Sequence, residues 1–573
     1  MVDPVGILKR FWGYDSFRPG QREVIDSILS DKDTLSLMPT GGGKSITFQV
    51  PALAMQGICL VISPLVALMK DQVAQLVKRG IRSTFISSEM SHSDILQQLE
   101  NCILGDYKFL YISPERISSD LFQAKLQFLK EKVSLLVVDE AHCISQWGND
   151  FRKDYRLIAD IRDTIPNVSV IAVTASATPA VVADICEQLH FRKGYQVFQA
   201  AFERPNLAYV VRETEDKLKE ICHILNSVPG SAIVYCRTRA SVEQYARDLK
   251  KAGVSANYFH AGLEPFIKNE RQQAWQRGQT RVLVATNAFG MGIDKGDVRL
   301  VLHTEFPDSL EAYYQEAGRA GRDGKKAYAV VLLGPKDISS IKLRPNSAFP
   351  AVEYIGRVYN SICNYFQIAE GDGEGRSYYL NEEEFVQNWH FDLRRLRTSL
   401  IILGLSGYIQ YEPYPNTQPY LRCDLPRESL NEFLRTESPA SILAEQILRS
   451  YTGVFSSGCF VSIEELARLT ELDVEVVSKS LGYLRNVGFV YIPARKEPKI
   501  TFLQVRTPVE RLHITDSAYG QRKESLIQRI EKGVEYLETS ACRQSFISRY
   551  FGVESKPCGC CDNCLKQRRA LRK

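Results

Sequence analysis

From Thr34 to about Gly334 the chain alternates short apolar runs with helix-length amphipathic stretches. The runs are TLSLM, ICLVIS, FLYIS, LLVVD and VSVIAVT, then AIVYC, RVLVAT, RLVLH and AYAVVLL. Such β-branched and leucine-rich runs predict strands buried on both faces, as in a parallel sheet. The helical stretches between them predict repeated βα units and an α/β, doubly wound fold. Near ERPNLAYVVRET, residues 203–214, the pattern restarts after a Pro-containing segment. Two tandem α/β domains are therefore expected, at 1–204 and 205–337.

Beyond about Pro335 the periodicity changes. A long helical pattern, YIGRVYNSICNYF, precedes two segments of similar design. They are LNEEEFVQNWHFDLRRLRTSLIILGLSGYIQYEPYPNTQPYLRC and VSIEELARLTELDVEVVSKSLGYLRNVGFVYIPARKEPKITFLQV. Each reads as a short helix, a turn, a longer helix and two strands around a polar turn. That order is the pattern of a winged helix. Modules are expected at 351–430 and 440–510, with a last one at 520–573. Winged helices bind nucleic acid or hold proteins together, and the pattern leaves both open.

Composition narrows the class. At 573 residues the chain exceeds one hydrophobic core. Its 44% hydrophobic and 24% charged residues are those of a globular protein, not a disordered one. No apolar run reaches membrane-spanning length, and MVDPVGILKRFWGYD lacks the pattern of a signal peptide. The expectation is an intracellular, cytoplasmic protein, nucleoid-associated if bacterial. A net charge of +5 permits a polyanionic partner without demanding one, and the basic end KQRRALRK fits either a contact or a solvated tail. Of the 14 cysteines, nine are scattered singly and five crowd into 542–564, which points to a metal rather than to disulfides.

The candidate chemistry begins at MPTGGGKS. Thr40, Gly41, Gly42 and Gly43 lie between a predicted strand and a predicted helix, where glycines let backbone N–H groups converge on phosphates. Lys44 is placed to reach the β/γ-phosphates of ATP, and the Ser45 hydroxyl to ligate Mg²⁺. LLVVDEAH puts Asp139 at the carboxyl end of a buried strand, as a second Mg²⁺ ligand. Glu140 follows, suited to orient and deprotonate an attacking water. In QEAGRAGRDG of the second domain, Arg319 and Arg322 share one helical face and are candidates to stabilise charge on a transferred phosphoryl group. Alone they would be a solvated face. With the P-loop they suggest ATP held between two domains.

These motifs, in order, resemble the RecQ family of superfamily 2 DNA helicases over about residues 6 to 335. The carriers are FWGYDSFRPGQ, MPTGGGKS, VISPLVALMKDQV, DEAHCISQWGNDFR, AVTASAT, IVYCRTRA, VLVATNAFGMGID and QEAGRAGRDG. The resemblance implies adenine-sensing roles for Tyr14, Arg18 and Gln21, and a share in hydrolysis for Gln315. It implies that Trp147, Phe151 and Arg152, in the aromatic-rich loop after DEAH, contact single-stranded DNA and that His142 links them to the hydrolysis site. Stacking on Trp147 and Phe151 and phosphate contact by Arg152 suit that task. The implied activity is an ATP-dependent DNA helicase moving 3′ to 5′ on single strands. Its partners would be single-stranded and tailed or branched duplex DNA, in recombination and repair.

Cys542, Cys558, Cys561 and Cys564 form C-x15-C-x2-C-x2-C, a set suited to structural, tetrahedral Zn²⁺, and resemble the RecQ zinc module. Cys560 stands beside them as an alternative ligand. Other departures are Asn149, the FRKDY that follows it, and Ser176 in TASAT. The largest is order, because both winged-helix patterns precede the zinc module. Tyr408, Tyr411 and Tyr414, or Arg495, Lys496 and Lys499, are candidates for strand separation, with packing as the alternative. An RNA helicase or an ATPase switch remains a rival function.

Overall fold

The computed structural model describes all residues except 1–2, 40, 88–89, 91, 146–152, 201–202, 291–294, 414–417, 452, 457, 496 and 572–573. Residues 1–342 together with 525–573 make one unit, and residues 343–524 another.

The first unit contains two parallel sheets. Across the first, the strands run Ser83–Ile86, Phe109–Ile112, Ile58–Ile62, Val133–Asp139, Val170–Thr174, Thr34–Leu37 and Gln196–Gln199. Successive residues feed opposite faces of this sheet: Leu60, Leu136 and Val138 enter one core, Cys59, Leu135 and Val137 the other. That two-sided burial is the reason the runs are continuously apolar. The second sheet is ordered Ala256–Phe259, Val282–Ala285, Ser231–Tyr235, Val298–His303, Ala327–Leu333 and Leu207–Glu213. These two RecA-like lobes place the P-loop, the DEAH carboxylates and the arginine motif at strand carboxyl ends, where such sheets bind ligands.

The zinc module is remote in sequence but not in space. After the excursion through the second unit, helix Gly520–Glu538 and helix Arg543–Tyr550 pack on lobe 2. Ile530, Val534, Tyr536, Leu537, Ile547 and Phe551 share one core with Tyr209, Phe306, Tyr313 and Tyr314. Tyr536 lies 5.2 Å from Tyr313 and 5.9 Å from Phe306 between ring centroids. Gly533 permits this approach, since a Cβ there would come within 2.7 Å of the Phe306 ring. The departure in motif order thus amounts to an insertion between the second α/β lobe and the cysteine-rich module that packs on it.

In the second unit the strand pairing differs from the sequence expectation. Each winged-helix pattern was expected to keep its own two strands. Instead, Ile409–Glu412 pairs with Lys499–Phe502, and Tyr420–Cys423 pairs with Phe489–Ile492, both antiparallel. One winged helix is inserted in the wing of another. Burial decides the exchange: Leu421 and Cys423 join Leu443, Leu481 and Leu484, while Ile500 and Phe502 join Leu396, Leu400 and Leu403. The inserted module begins its helix Ile463–Thr470 with a capping Ser462, whose side chain accepts from the N–H of Glu465. Between 420 and 492, ten acidic residues outnumber seven Lys and Arg.

Candidate active site and metal centre

Strand Thr34–Leu37 delivers the chain to the P-loop, and helix Lys44–Ala54 leaves from it. Gly41 and Gly43 have φ of +77° and +83°, a region in which residues with a Cβ are strained. A Cβ on Gly43 would also run into the amide nitrogen of Gln21. Gln21 Nε2 donates to the carbonyls of Gly42 and Gly43 at 3.3 and 3.1 Å, and Arg18 Nη1 donates to the Gly41 carbonyl at 2.7 Å. The structure therefore brings Arg18 and Gln21 onto the P-loop backbone. Tyr14 is 53% exposed nearby in sequence. Ser45 lies in the first turn of the P-loop helix. Thr40 lies outside the described residues.

The carboxylates meet this loop. Lys44 Nζ lies 3.3 Å from Glu140 Oε1. Asp139 accepts from the Ser63 hydroxyl at 3.2 Å and from the Glu140 N–H at 2.9 Å. Burial, with the neighbouring charge of Glu140, pushes the Asp139 carboxyl up to about 6. Burial also works to raise Glu140, but Lys44, His142 and Arg319 outweigh it and hold that carboxyl below its usual range. Two adjacent acids with opposed shifts can divide two tasks, one as a ligand and one as a base. Glu140 itself has φ +48°, a strained backbone for a non-glycine residue. Its Oε2 is buried, 3.4 Å from His142 Nδ1.

His142, expected to link the aromatic-rich loop to the hydrolysis site, lies beside the carboxylate of Glu140. It is 3% exposed, with Nδ1 2.9 Å from Thr174 Oγ1 and 3.4 Å from Glu140 Oε2. A side chain so enclosed acts on the carboxylate, not on a bulky ligand. Trp147, Phe151 and Arg152 lie outside the described residues.

From lobe 2, helix Leu310–Ala317 brings Gln315 across the cleft, where Nε2 donates to Ser176 Oγ at 2.6 Å. Ser176 had stood only as a small-residue exchange; its hydroxyl joins the lobes. Arg322 reaches the P-loop, its Cγ 3.3 Å from where a Cβ on Gly41 would lie. Arg319 is 6% exposed and close enough to favour the charged form of Glu140. Sequence reasoning also missed Ser63, and Tyr155, which donates to the Asp139 carbonyl at 2.9 Å. Ser63 lies within the VISPL run, and a hydroxyl closing a buried strand was the available signal.

The sulfurs of Cys542, Cys558, Cys561 and Cys564 all lie within 4.8 Å of one another. A tetrahedral Zn²⁺ with bonds of about 2.3 Å sets its sulfurs roughly 3.8 Å apart, so this set fits the ion. Backbone N–H groups of Cys558, Cys561 and Cys564 approach the sulfurs of Cys542, Cys558 and Cys561 at 3.2 to 3.4 Å, a surrounding suited to thiolates. Cys560 falls outside this set, its Sγ 4.0 Å from the Leu207 carbonyl. Arg543 ties the cluster together: Nε and Nη2 bind Asp562 at 2.6 and 2.9 Å, and Nη1 donates to the Tyr536 carbonyl at 2.7 Å.

The strand-separation candidates fall mainly into packing. Tyr408 is buried and accepts from the His513 N–H at 2.7 Å, and Tyr411 donates to Glu382 at 3.0 Å. Arg495 lies over the Tyr379 ring at 4.3 Å, and Lys499 sits within a strand. Tyr414 and Lys496 lie outside the described residues. Among the described residues no helix is long and apolar enough to cross a membrane.

Four families match parts of the chain. They are the DEAD/DEAH box helicase domain over 18–185, the helicase conserved C-terminal domain over 216–324, the RecQ helicase winged-helix domain of Bacteroidota over 421–492, and the RecQ zinc-binding domain over 506–565. The winged-helix match coincides with the inserted module. The ATP-dependent DNA helicase RecQ of Pasteurella multocida is 44% identical over 333 residues, 58% of this chain and 52% of that protein. Its namesake in Bacillus subtilis is 44% identical over 335 residues, covering 58% and 56%. The chain thus spans about half the length of these curated relatives. Among solved structures, the DUF1998 helicase MrfA bound to DNA and AMPPNP aligns with a TM-score of 0.51 at 18% identity, over 60% of this chain and 52% of that one. That likeness concerns the fold alone. In its helicase core, its inserted winged helix and its zinc-binding module, the chain is similar to the RecQ helicases.

Proposed function

We propose that the protein is an ATP-dependent DNA helicase that translocates 3′ to 5′ on single strands and unwinds tailed or branched duplexes in recombination and repair. The observation that carries this reading is the interlobe cleft, where Lys44 and Glu140 of lobe 1 face Arg319 and Arg322 of lobe 2. Lys44 and the P-loop N–H groups hold the phosphates of ATP, and Arg18 and Gln21 fix the loop that presents them. Glu140 orients a water and takes its proton, while Arg319 and Arg322 meet the charge that develops on the departing phosphoryl group. Ser45 and Asp139, an oxygen donor pair of the kind that suits the cation, would hold Mg²⁺, which would supply charge neutralisation at the phosphate oxygens. Hydrolysis removes the group that both lobes grip, so the cleft opens and closes once per ATP. Structural Zn²⁺ holds the module that packs on lobe 2. The protein works where DNA is, in the cytoplasm or at a nucleoid.

Unwinding of matched duplexes bearing a 3′ or a 5′ tail tests this, with Glu140→Gln as control. Unwinding confined to the 3′-tailed substrate and lost in the variant is expected. Unwinding of the 5′-tailed substrate alone, or of neither, overturns it. A second reading, a DNA-stimulated ATPase that does not separate strands, is favoured by one observation: the wing between Ile409–Glu412 and Lys499–Phe502 is interrupted by an acidic module. ATP hydrolysis stimulated by DNA without unwinding distinguishes it.

A further inference from the structure

One short segment of the zinc module touches both lobes of the motor. On lobe 2, the Tyr550 hydroxyl donates to Glu311 Oε1 at 2.7 Å. Glu311 opens the helix Leu310–Ala317, which carries Gln315 and leads to Arg319 and Arg322. Glu311 is 7% exposed, and its other oxygen has no hydrogen-bond partner among the described residues. Loss of Tyr550 would therefore strand a buried carboxylate at the start of the helix that leads to the arginines.

The next two residues reach lobe 1. Gln199 Nε2 donates to the Phe551 carbonyl at 2.7 Å. Gly552, at φ +81°, lies so close that a Cβ would come within 2.9 Å of Pro179. Pro179 begins helix Pro179–Gln188, three residues after Ser176. A cavity of about 690 Å³ adjoins the segment, lined by Thr178, Glu311, Arg529, Phe546, Arg549 and Tyr550.

We propose that Tyr550–Gly552 is a latch across the motor cleft. Tyr550 is a positioning residue, through Glu311, for the helix Leu310–Ala317 that leads to the two arginines. The Phe551 carbonyl, held by Gln199, stabilises the closed arrangement in which Gln315 meets Ser176. The kinetic part of this inference rests on the ATP reading above; the mechanical part does not.

The test uses the full chain with a donor–acceptor pair introduced at exposed Lys9 and Lys251, one on each lobe, and zinc content measured in every sample. Gln199→Ala is expected to lower the closed-to-open ratio about fivefold, the effect of losing one hydrogen bond, at unchanged zinc. Tyr550→Phe is expected to cut kcat for ATP hydrolysis roughly tenfold while the half-saturating concentration of AMP-PNP stays within about twofold. Wild-type ratios and wild-type kcat in both variants, at full zinc, would show a purely structural contact and overturn the latch. If the wild type binds no nucleotide, the ATP reading fails instead. The ratio in the free protein then decides, and an unchanged ratio in Gln199→Ala overturns the latch.

Discussion

Arg543→Ala should disable the zinc module without touching a cysteine. The guanidinium is 4% exposed and its partner Asp562 10%. Both Asp562 oxygens accept from it, at 2.6 and 2.9 Å, and its third contact satisfies the Tyr536 carbonyl. Truncation leaves a buried carboxylate with no counter-charge and only the Val211 N–H at 3.3 Å, at a cost of about 3–5 kcal/mol. Because the cysteines converge only in the folded module, that cost reappears as lost zinc affinity. At roughly 1.4 kcal/mol per decade, zinc binding weakens about 150- to 4,000-fold. Competition against a chromophoric chelator reads this directly. The double variant Arg543→Ala, Asp562→Ala leaves no lone charge, so it should bind zinc more tightly than Arg543→Ala alone. Arg543→Ala retaining zinc within about threefold of wild type would refute the reasoning, by showing that solvent reaches the pair.

Other outcomes follow from the same geometry. Gly43→Ala should abolish nucleotide binding, measured by calorimetry, since φ +83° and the Gln21 amide leave no place for the methyl group; Gln21→Ala, Gly43→Ala should not restore it, because the backbone strain persists. Leu443→Ala, at a fully buried site of the inserted module, should cost about 2–5 kcal/mol and lower one thermal transition while leaving ATP hydrolysis unchanged; a matching fall in both would contradict it. Asp139, raised to about 6 by burial and by Glu140, favours the folded state while protonated. That contribution is complete below about pH 3.8 and lost as pH rises through 6. In Mg²⁺-free protein the Tm of Asp139→Asn, relative to wild type, should therefore climb between pH 4 and 8, and a constant difference would be evidence against the burial effect.

The strands legible in the sequence are those deep in the sheets. Continuous runs such as LLVVD and AYAVVLL announce two-sided burial. The strands that escaped, Ser83–Ile86, Gln196–Gln199 and Ala256–Phe259, are sheet edges, where burial is incomplete and the apolar run breaks up. P-loop, DEAH carboxylates and cysteine quartet were legible because phosphate, water activation and zinc each demand particular residues at short spacing. The exchange of wing strands was not, since local periodicity marks a strand but says nothing of its partner. Arg18 and Gln21 show the same limit: the motif named them, while their bonds to P-loop carbonyls depend on tertiary packing. Ser176 and Tyr155 lie within AVTASAT and FRKDY, stretches the sequence singles out, but only the folded lobes reveal what they hold.

The winged helix inside a wing has a consequence for the order in which the chain can fold. Strands Ile409–Glu412 and Lys499–Phe502 are separated by 86 residues, so pairing them first means closing a long loop. The inserted module brings Tyr420 and Ile492 together as cross-strand partners. Once it has formed, about 13 linking residues remain to be closed. The saving in closure entropy is about 1.7 kcal/mol, more than a tenfold advantage in rate. The acidic module is thus a folding staple, and the outer wing should close last, after its guest.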